Sequence, residues 1–436
     1  EAIWRVTCVL KPCSTPRQVA DCWVFLRRAM LKMRCKRCSK TIIKPRLSDG
    51  VTRKQTVSKL SAGGGKAVAP PITRIEIDQA LGDIKTFDSI IDVRSPAEFA
   101  DDHLPGAINL PVLDDQQRAE IGTLYKQIDP FTAKRAGAAL VAQNIAMHLQ
   151  TVLQGKDRNW RPLIYCWRGG QRSAAMAQIF ANIGWHCGVV DGGYKAYRRH
   201  VLDCLDAIPP AISVVILSGQ TGTAKTHILQ AASKNGAQIV DLETLACHRG
   251  SLLGSEPDKP QPSQRLFESR LCQSLKNCDP QQHIFIEAES NKIGNIHVPP
   301  ALWAAMRAAP SIRVTAPMTA RVNFLQRDYA HMIQNPAVIM PLLSKLKHRH
   351  SAAQLAEWDA LIDQQDWHPF IESLLDAHYD PAYQRSGSAR RANEAGVMSA
   401  TTLCTADIDR LAHLLIEKSA SIGTDKSNSP AAKTDL

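Results

Sequence analysis

Two short stretches of this sequence hold residues whose types and spacing could do chemistry. The first is Cys166-Trp167-Arg168-Gly169-Gly170-Gln171-Arg172-Ser173. A cysteine followed by two glycines, with two arginines close by, suits a loop whose backbone N–H groups and guanidinium charges converge on a sulfur. Both influences favour thiolate over thiol, and the thiolate is the nucleophile. Five residues separate Cys166 from Arg172, and a ring of amides of that size fits a tetrahedral oxyanion such as phosphate. Most lone cysteines are buried residues chosen for packing. A packing role, however, calls for neither arginine.

The second stretch is Gly219-Gln220-Thr221-Gly222-Thr223-Ala224-Lys225-Thr226. It follows the Walker A pattern, with Ala224 where the second glycine of that pattern stands. Gly219 and Gly222 would let the backbone cradle phosphate, Lys225 would neutralise it, and Thr226 would reach Mg2+. The Ala224 methyl group is expected to crowd the backbone against phosphate. Carboxylates able to hold the water shell of Mg2+ end two apolar runs: Asp241, with Glu243 just after it, and Glu287, followed by Glu289 and Ser290.

Something must hold these loops in place, and the flanking patterns say what. Pro162 to Tyr165 and Ile212 to Leu217 are apolar runs, each leading into one of the loops, and helical periodicity follows both loops. Further strands are expected at 87–92, 188–191, 238–241, 283–287 and 312–315, with helices at 134–153 and 194–205. Strands alternating with helices predict parallel α/β sheets, with the loops at the carboxyl ends of their strands, where ligands bind. Pro209-Pro210 marks a boundary between two such modules. From Met318 the chain reads as helical, with Arg321, Arg327, Lys345, Lys347, His348, Arg349 and His350 exposed by pattern and suited to RNA phosphates.

Length and charge set bounds. The 436 residues allow two or three domains, and the net charge of +12 looks at first like a nucleic-acid signal. Its location removes that reading. Residues 1–71 hold 16 Lys and Arg against 3 acids, while the remaining 365 hold 37 against 38. The folded body is nearly neutral, so RNA contact must rest on local patches. The head also carries five of the twelve cysteines, including a single Cys35-x2-Cys38, and ends in a Gly-rich linker. It is expected to be a basic, unstructured and dispensable extension. The scattered cysteines fit a reducing cytosol, and no apolar run is long enough for a membrane span.

Several motifs together resemble the tRNA 2-selenouridine synthase family, a rhodanese domain fused to a P-loop domain. They are Asp92-Val93-Arg94, the segment His103 to Pro111, the Cys166 loop, Gly122-Thr123-Leu124-Tyr125-Lys126 and Gly192-Gly193-Tyr194-Lys195. The resemblance implies a rhodanese-like parallel sheet at 75–206, a P-loop NTPase-like α/β domain at 210–318, a helical C-terminal region at 319–418 and a disordered tail at 419–436. It further implies a cytoplasmic transferase that replaces sulfur by selenium in the 2-thiouridine at the tRNA wobble position. Selenophosphate would be the selenium source, with a selenophosphate-supplying enzyme as partner and no membrane. Cys166 would carry selenium as a transient perselenide, while Arg168, Gly169, Gly170 and Arg172 bind the phosphate. The P-loop residues Gly219, Gly222, Lys225 and Thr226 would hold geranyl diphosphate, used to geranylate the sulfur. No tightly bound cofactor is implied beyond Mg2+ linked to Asp241 and Glu287.

The residues alone leave other classes open. Cys-x5-Arg is the spacing of cysteine phosphatases and one residue longer than in typical rhodaneses, so a sulfurtransferase or phosphatase with a regulatory P-loop also fits. Against a phosphatase, no aspartic general acid is identifiable near the loop. An ATP-dependent RNA-binding or kinase-like protein with an inert rhodanese module is the third reading.

Overall fold

A computed structural model describes residues 72–251, 253–254, 259–288, 290–386 and 393–423, all within one compact unit, Ala67–Leu436. The basic head at 1–71 and Glu289 lie outside the described residues. Five short apolar runs form the first sheet: β1 (Thr73–Ile75), β2 (Ser89–Asp92), β3 (Ala107–Asn109), β4 (Pro162–Tyr165) and β5 (Gly188–Val190). Their order is β1-β5-β4-β2-β3, and every pairing is parallel. Parallel strands are covered by helices on both faces, which is why β4 and β5 are buried at every position. Cys166 leaves the sheet from β4, between β2 and β5, at the reversal of strand order where open sheets leave a crevice.

The second sheet repeats this logic with β6 (Ser213–Gly219), β7 (Gln238–Val240), β8 (His283–Glu287) and β11 (Ser311–Thr315). A small antiparallel hairpin of β9 (Lys292–Ile293) and β10 (Ile296–His297) interrupts it. The fifth strand, β12 (Glu394–Ser399), comes from the segment read as wholly helical, and the order is β12-β11-β6-β8-β7. The helix Thr405–Ala420 that follows packs back over Lys225–Lys234 and buries Leu411, Ala412 and Leu415. Ser419 is buried near its end, and residues 424–436 of the expected tail are not described. Short strands such as β12, whose Ala395 and Val397 are not buried, carry little periodic signal. No helix among the described residues is long and apolar enough to cross a membrane.

The two sheets do not keep separate cores. One apolar cluster runs from Ile75, Tyr194 and Leu205 to Phe267, Leu271 and Met306. Across it the helix Gly193–Ala207 packs on Gln264–Lys276 and on Pro300–Ala308. Polar contacts fix the register: Arg265 bonds Asp101 at 2.7 Å, Arg198 pairs with Glu268, and Ser263 donates to the Asp101 carbonyl. Asp102 is fully buried at this junction and accepts from Tyr194 Oη and Ser269 Oγ, each at 2.9 Å. Beside it, Arg94 is 1% exposed, grips Asp92 with Nε and Nη2, and lies 4.0 Å from the Tyr194 ring centroid.

Beyond β11 the chain forms a helical lobe around Met332, Leu343, Trp358, Trp367 and Phe370. The pattern placed Arg321 on its surface, but Arg321 is 2% exposed and bound bidentately to Asp380 at 2.6 and 2.9 Å. A long aliphatic stem and a carboxylate 59 residues away in sequence bury it, and periodicity cannot see such a partner. Arg327, Lys345, Lys347, His348 and Arg349 are exposed as expected.

Burial pushes the Asp102 carboxyl up, and its bonds to Ser269 and Tyr194 offset this only in part. The folded protein therefore binds a proton there that the unfolded chain has already lost. As pH rises from the ordinary carboxylate range, this site contributes falling stability. Asp102→Asn is expected to flatten that fall while preserving the acid-side value; denaturant midpoints measured across a pH series check it.

Candidate functional site

In the thiol loop, Cys166 is 3% exposed and two groups point hydrogens at its sulfur. The Gly170 N–H and the Ser173 hydroxyl each donate to Sγ at 3.3 Å. Burial would raise the thiol's pKa. The Ser173 hydroxyl and N–H, the Arg168 N–H and the Arg172 charge outweigh that and hold it below the ordinary thiol value. Other buried cysteines lack these partners: burial pushes Cys187 up to about 12.

The loop's shape depends on the chain end of β5. Gly169 has φ +64°, and a Cβ there would stand 2.7 Å from the Val190 carbonyl oxygen. Gly193, at φ +57°, would place a Cβ 2.2 Å from the Cys166 carbonyl oxygen. Tyr194 N–H and Lys195 N–H donate to the carbonyls of Cys166 and Trp167 at 2.8 and 3.0 Å. The carbonyls are thus tied below while amides face the sulfur.

Arg172 donates to Glu98 Oε2 at 2.9 Å, so an incoming anion shares this guanidinium with a carboxylate. Burial alone would raise Glu98, but the Arg172 hydrogen bond and charge hold it below the usual carboxylate range. An ionised Glu98 is no general acid at neutral pH, which counts against a simple phosphatase. The Arg168 side chain is exposed and forms no ion pair among the described residues; its N–H is what faces the sulfur. Sequence reasoning missed Glu98 and the role of Ser173. The second has a weak signal, a hydroxyl one position after Arg172 at the helix start. The first comes from a helix 74 residues away.

The P-loop connects β6 to the helix Lys225–Lys234. Gly219 and Gly222 have φ of +159° and +83°, and a Cβ on Gly222 would press on Leu325 at 3.0 Å. Lys225 Nζ donates to the Gly219 carbonyl at 3.2 Å, closing the loop's mouth. The Gln220 carbonyl accepts from Thr223 Oγ1 at 2.8 Å, and the Thr221 carbonyl from Arg321 Nε at 2.8 Å. Ala224 adopts φ 57°, ψ 29°, the left-handed region. Its cost is therefore conformational, ~1–2 kcal/mol for a residue with a Cβ, rather than only the steric crowding expected.

Thr226 Oγ1 lies 2.9 Å from Glu243 Oε2 and 3.0 Å from Glu287 Oε2. Glu287 is fully buried and also accepts the Glu243 N–H at 3.2 Å. A hydroxyl has one hydrogen to give, so it satisfies one of these two carboxylates at a time. The set, all hard oxygens, fits a Mg2+ that keeps waters and phosphate oxygens as its other ligands. Asp241 does not take part. Its carboxylate caps the helix Leu242–Ala246, accepting the Thr244 N–H and hydroxyl at 2.8 Å each. Glu243 stands where Asp241 was expected, because the chain turns into that helix directly after β7.

Three hollows meet at Thr221. One of 430 Å³ lies over the P-loop, lined by Lys225, Thr226, Glu243, Arg249 and Tyr329 among others. A narrow apolar slot of 60 Å³ enters the helical lobe between Leu325, Met332, Ile339, Trp367 and Phe370. The third, of 1310 Å³, also touches Lys225.

Comparison with known proteins agrees with this division of the chain. Residues 73–200 match the rhodanese-like domain, and residues 212–403 match the tRNA 2-selenouridine synthase AAA domain. The tRNA 2-selenouridine synthase of Shewanella halifaxensis is 32% identical over 324 residues, covering 68% of this chain and 87% of the relative. Those of Nitrosomonas europaea and Psychromonas ingrahamii are 34% and 35% identical over 244 and 247 residues, or 55% and 56% of this chain. These two matches span 63% and 66% of the relatives, just under two thirds.

Two outcomes follow from the site's geometry. Ser173→Ala should move the pH midpoint of Cys166 alkylation upward, read by peptide mass spectrometry with Cys187 as an unreactive internal standard at neutral pH. Ala224→Gly should release part of the left-handed strain, leaving stability within ~1 kcal/mol of the parent because glycine's added chain entropy opposes the gain. Chemical denaturation measures the second.

Proposed function

This chain belongs to the tRNA 2-selenouridine synthase family, and from that premise we propose that it exchanges sulfur for selenium in 2-thiouridine at the tRNA wobble position. In this reading geranyl diphosphate first alkylates the sulfur, and selenophosphate then supplies selenium. The observation that carries it is the apolar slot beside the P-loop. A nucleotide's base asks for a flat face and hydrogen-bonding partners. A slot walled by Leu325, Met332, Trp367 and Phe370 instead suits an isoprenoid chain, at ~0.8 kcal/mol for each CH2 buried. At 60 Å³ the slot is too small for the whole chain, so its entry requires the surrounding helices to part.

With the diphosphate on the loop, Lys225 leaves the Gly219 carbonyl and pairs with the anion. The thiouridine sulfur attacks C1 of the geranyl group: a C–S bond forms, the C1–O bond breaks, diphosphate leaves and the base loses its N3 proton to solvent. Charge growing on the leaving oxygens is met by Lys225 and the loop N–H groups. Mg2+ bound by Thr226, Glu243 and Glu287 would neutralise part of the same charge. The geranylated sulfur is then a better leaving group from C2 than the thione was.

Electron counting revises the part given to Cys166. Selenium in selenophosphate is already at the selenide level. Moving it onto a thiolate as perselenide would leave phosphorus reduced to phosphite. A balanced route has selenium attack C2 and expel geranylthiolate, with the phosphoryl group still on selenium. The Cys166 thiolate then attacks phosphorus; the S–P bond forms, the P–Se bond breaks and the selenouridine leaves, and water later releases phosphate. Amides of the Cys166 loop, with Arg172, are suited to the phosphoryl oxygens.

The test offers thiolated tRNA with geranyl diphosphate, ATP or a phosphate ester to the parent protein, Lys225→Ala and Cys166→Ser. Lys225→Ala should lose ~2–5 kcal/mol of diphosphate binding and with it geranylation, yet still convert pre-geranylated tRNA. Cys166→Ser should still geranylate the tRNA and expel geranylthiolate, but accumulate the Se-phosphorylated base and form no free selenouridine. Efficient displacement of geranyl diphosphate by ATP, with hydrolysis in turnover, would overturn the reading.

A further inference from the structure

The 1310 Å³ hollow beside the P-loop has no part in the reaction as described so far. Its rim carries Lys292 from the β9–β10 hairpin, Lys345 and Arg349 from the turn that follows Met340–Leu343, and its far wall holds His378 and Tyr379. Arg385 borders an adjoining hollow of 670 Å³, together with Arg349, His350 and His378. Lys292, Lys345, Arg349 and Arg385 are all exposed, and none forms an ion pair among the described residues. No carboxylate lines either hollow among the described residues. Three of these cations line the larger hollow and Arg385 lines the one adjoining it; drawn from three separate segments, they repel one another, and a polyanion lying across them would relieve that repulsion.

We propose that this hollow is the docking site of the RNA acceptor, with the modified base inside and its flanking phosphates on the basic rim. The proposal rests on the function proposed above. Three observations single out RNA over a free nucleotide. The hollow is about three times the volume of the one over the P-loop, which already takes the diphosphate. Its exposed cations come from separate segments of the lining, as a strand passing across them requires. Aromatic rings border it: a π-helix at Leu375–Tyr379 places Tyr379, with the buried His378 packed beside it, along the wall, and single π turns of this kind are frequent at functional sites. Base stacking on such rings is how single-stranded RNA bases are commonly held.

The hollow also lies where the chemistry demands. It shares Thr221, Lys225 and His248 with the space over the P-loop, so a base inside it brings its sulfur up to the head of the diphosphate. The hairpin bearing Lys292 is fixed by its backbone. Gln261 accepts the Asn295 N–H at 2.8 Å and donates to the Ile293 carbonyl at 3.0 Å, and Gln264 brackets His297 in the same way. Ser263, between these two glutamines, donates to the Asp101 carbonyl of the first sheet domain. One short segment therefore positions the rim and ties it to the domain carrying Cys166.

The experiment measures binding of a fluorescent anticodon stem-loop RNA with 2-thiouridine to the full chain, over a series of salt concentrations. Lys292→Ala, Lys345→Ala and Arg349→Ala should each lower the slope of log affinity against log salt by about one. The triple variant should lose about a hundredfold or more in affinity at fixed salt, with geranyl diphosphate affinity unchanged; Arg158→Ala, on the exposed surface of the first domain, should do neither. A triple variant with parental RNA affinity and slope overturns the docking site and leaves the proposed function standing. A parent protein that binds the RNA no better than unrelated RNA, or is not driven by it to consume geranyl diphosphate, overturns both.

Discussion

An anion cradle made of backbone amides works only if the carbonyls of the same loop are held elsewhere. Both loops in this chain meet that condition, by different means. Around Cys166, the amides of Tyr194 and Lys195 take the carbonyls of Cys166 and Trp167. In the P-loop, side chains do it: Lys225 for Gly219, Thr223 for Gln220 and Arg321 for Thr221. The first arrangement is rigid, since Gly169 and Gly193 leave no room for a Cβ between the two backbones. The second has one removable partner, because Lys225 can exchange its carbonyl for a ligand anion.

The same constraint explains the buried charges. Arg321 can reach the Thr221 carbonyl only from inside the helical lobe, and a buried guanidinium must be paired. Asp380 supplies the pair, and removing either partner would leave an uncompensated charge, typically costing ~3–5 kcal/mol. Asp380 directly follows the π-helix that carries His378 and Tyr379. The state of the P-loop is thereby connected to the wall of the basic hollow through one ion pair. In the first domain, Arg94 pairs with Asp92 and donates to the Asp102 carbonyl, while the Asp102 carboxylate takes Ser269 from the second domain.

Charge is distributed in line with the RNA docking proposed above, without a net positive body. The part of the chain beyond residue 71 has 37 Lys and Arg against 38 acids, so nonspecific attraction to nucleic acid is weak. Cations left unpaired at one opening then act locally, within a Debye length of about 8 Å at physiological salt. His378, lowered to about 4 by burial and by the nearby charges of His350, Arg349 and Arg385, stays neutral there and adds no charge to the rim.

Much of the architecture was legible from local pattern. Apolar runs ending in Cys166 and Gly219, followed by glycine loops and helices, determine parallel strands with anion loops at their carboxyl ends, because glycine, β-branched strands and helix starts act over a few residues. The activated Cys166 thiol, Lys225 and Thr226 followed from the same short range. What only the tertiary structure decided are the partners brought from far away. Glu98 reaches Arg172 across 74 residues, Asp380 buries Arg321 across 59, and β12 joins the sheet at β11 some 80 residues later. The choice of Glu243 over Asp241 beside Thr226 was decided by where the chain turned into a helix, which spent the Asp241 carboxylate on a cap. Sequence spacing records which groups can do chemistry; whether a given charge faces water, a ligand or another buried charge depends on contacts that spacing does not encode.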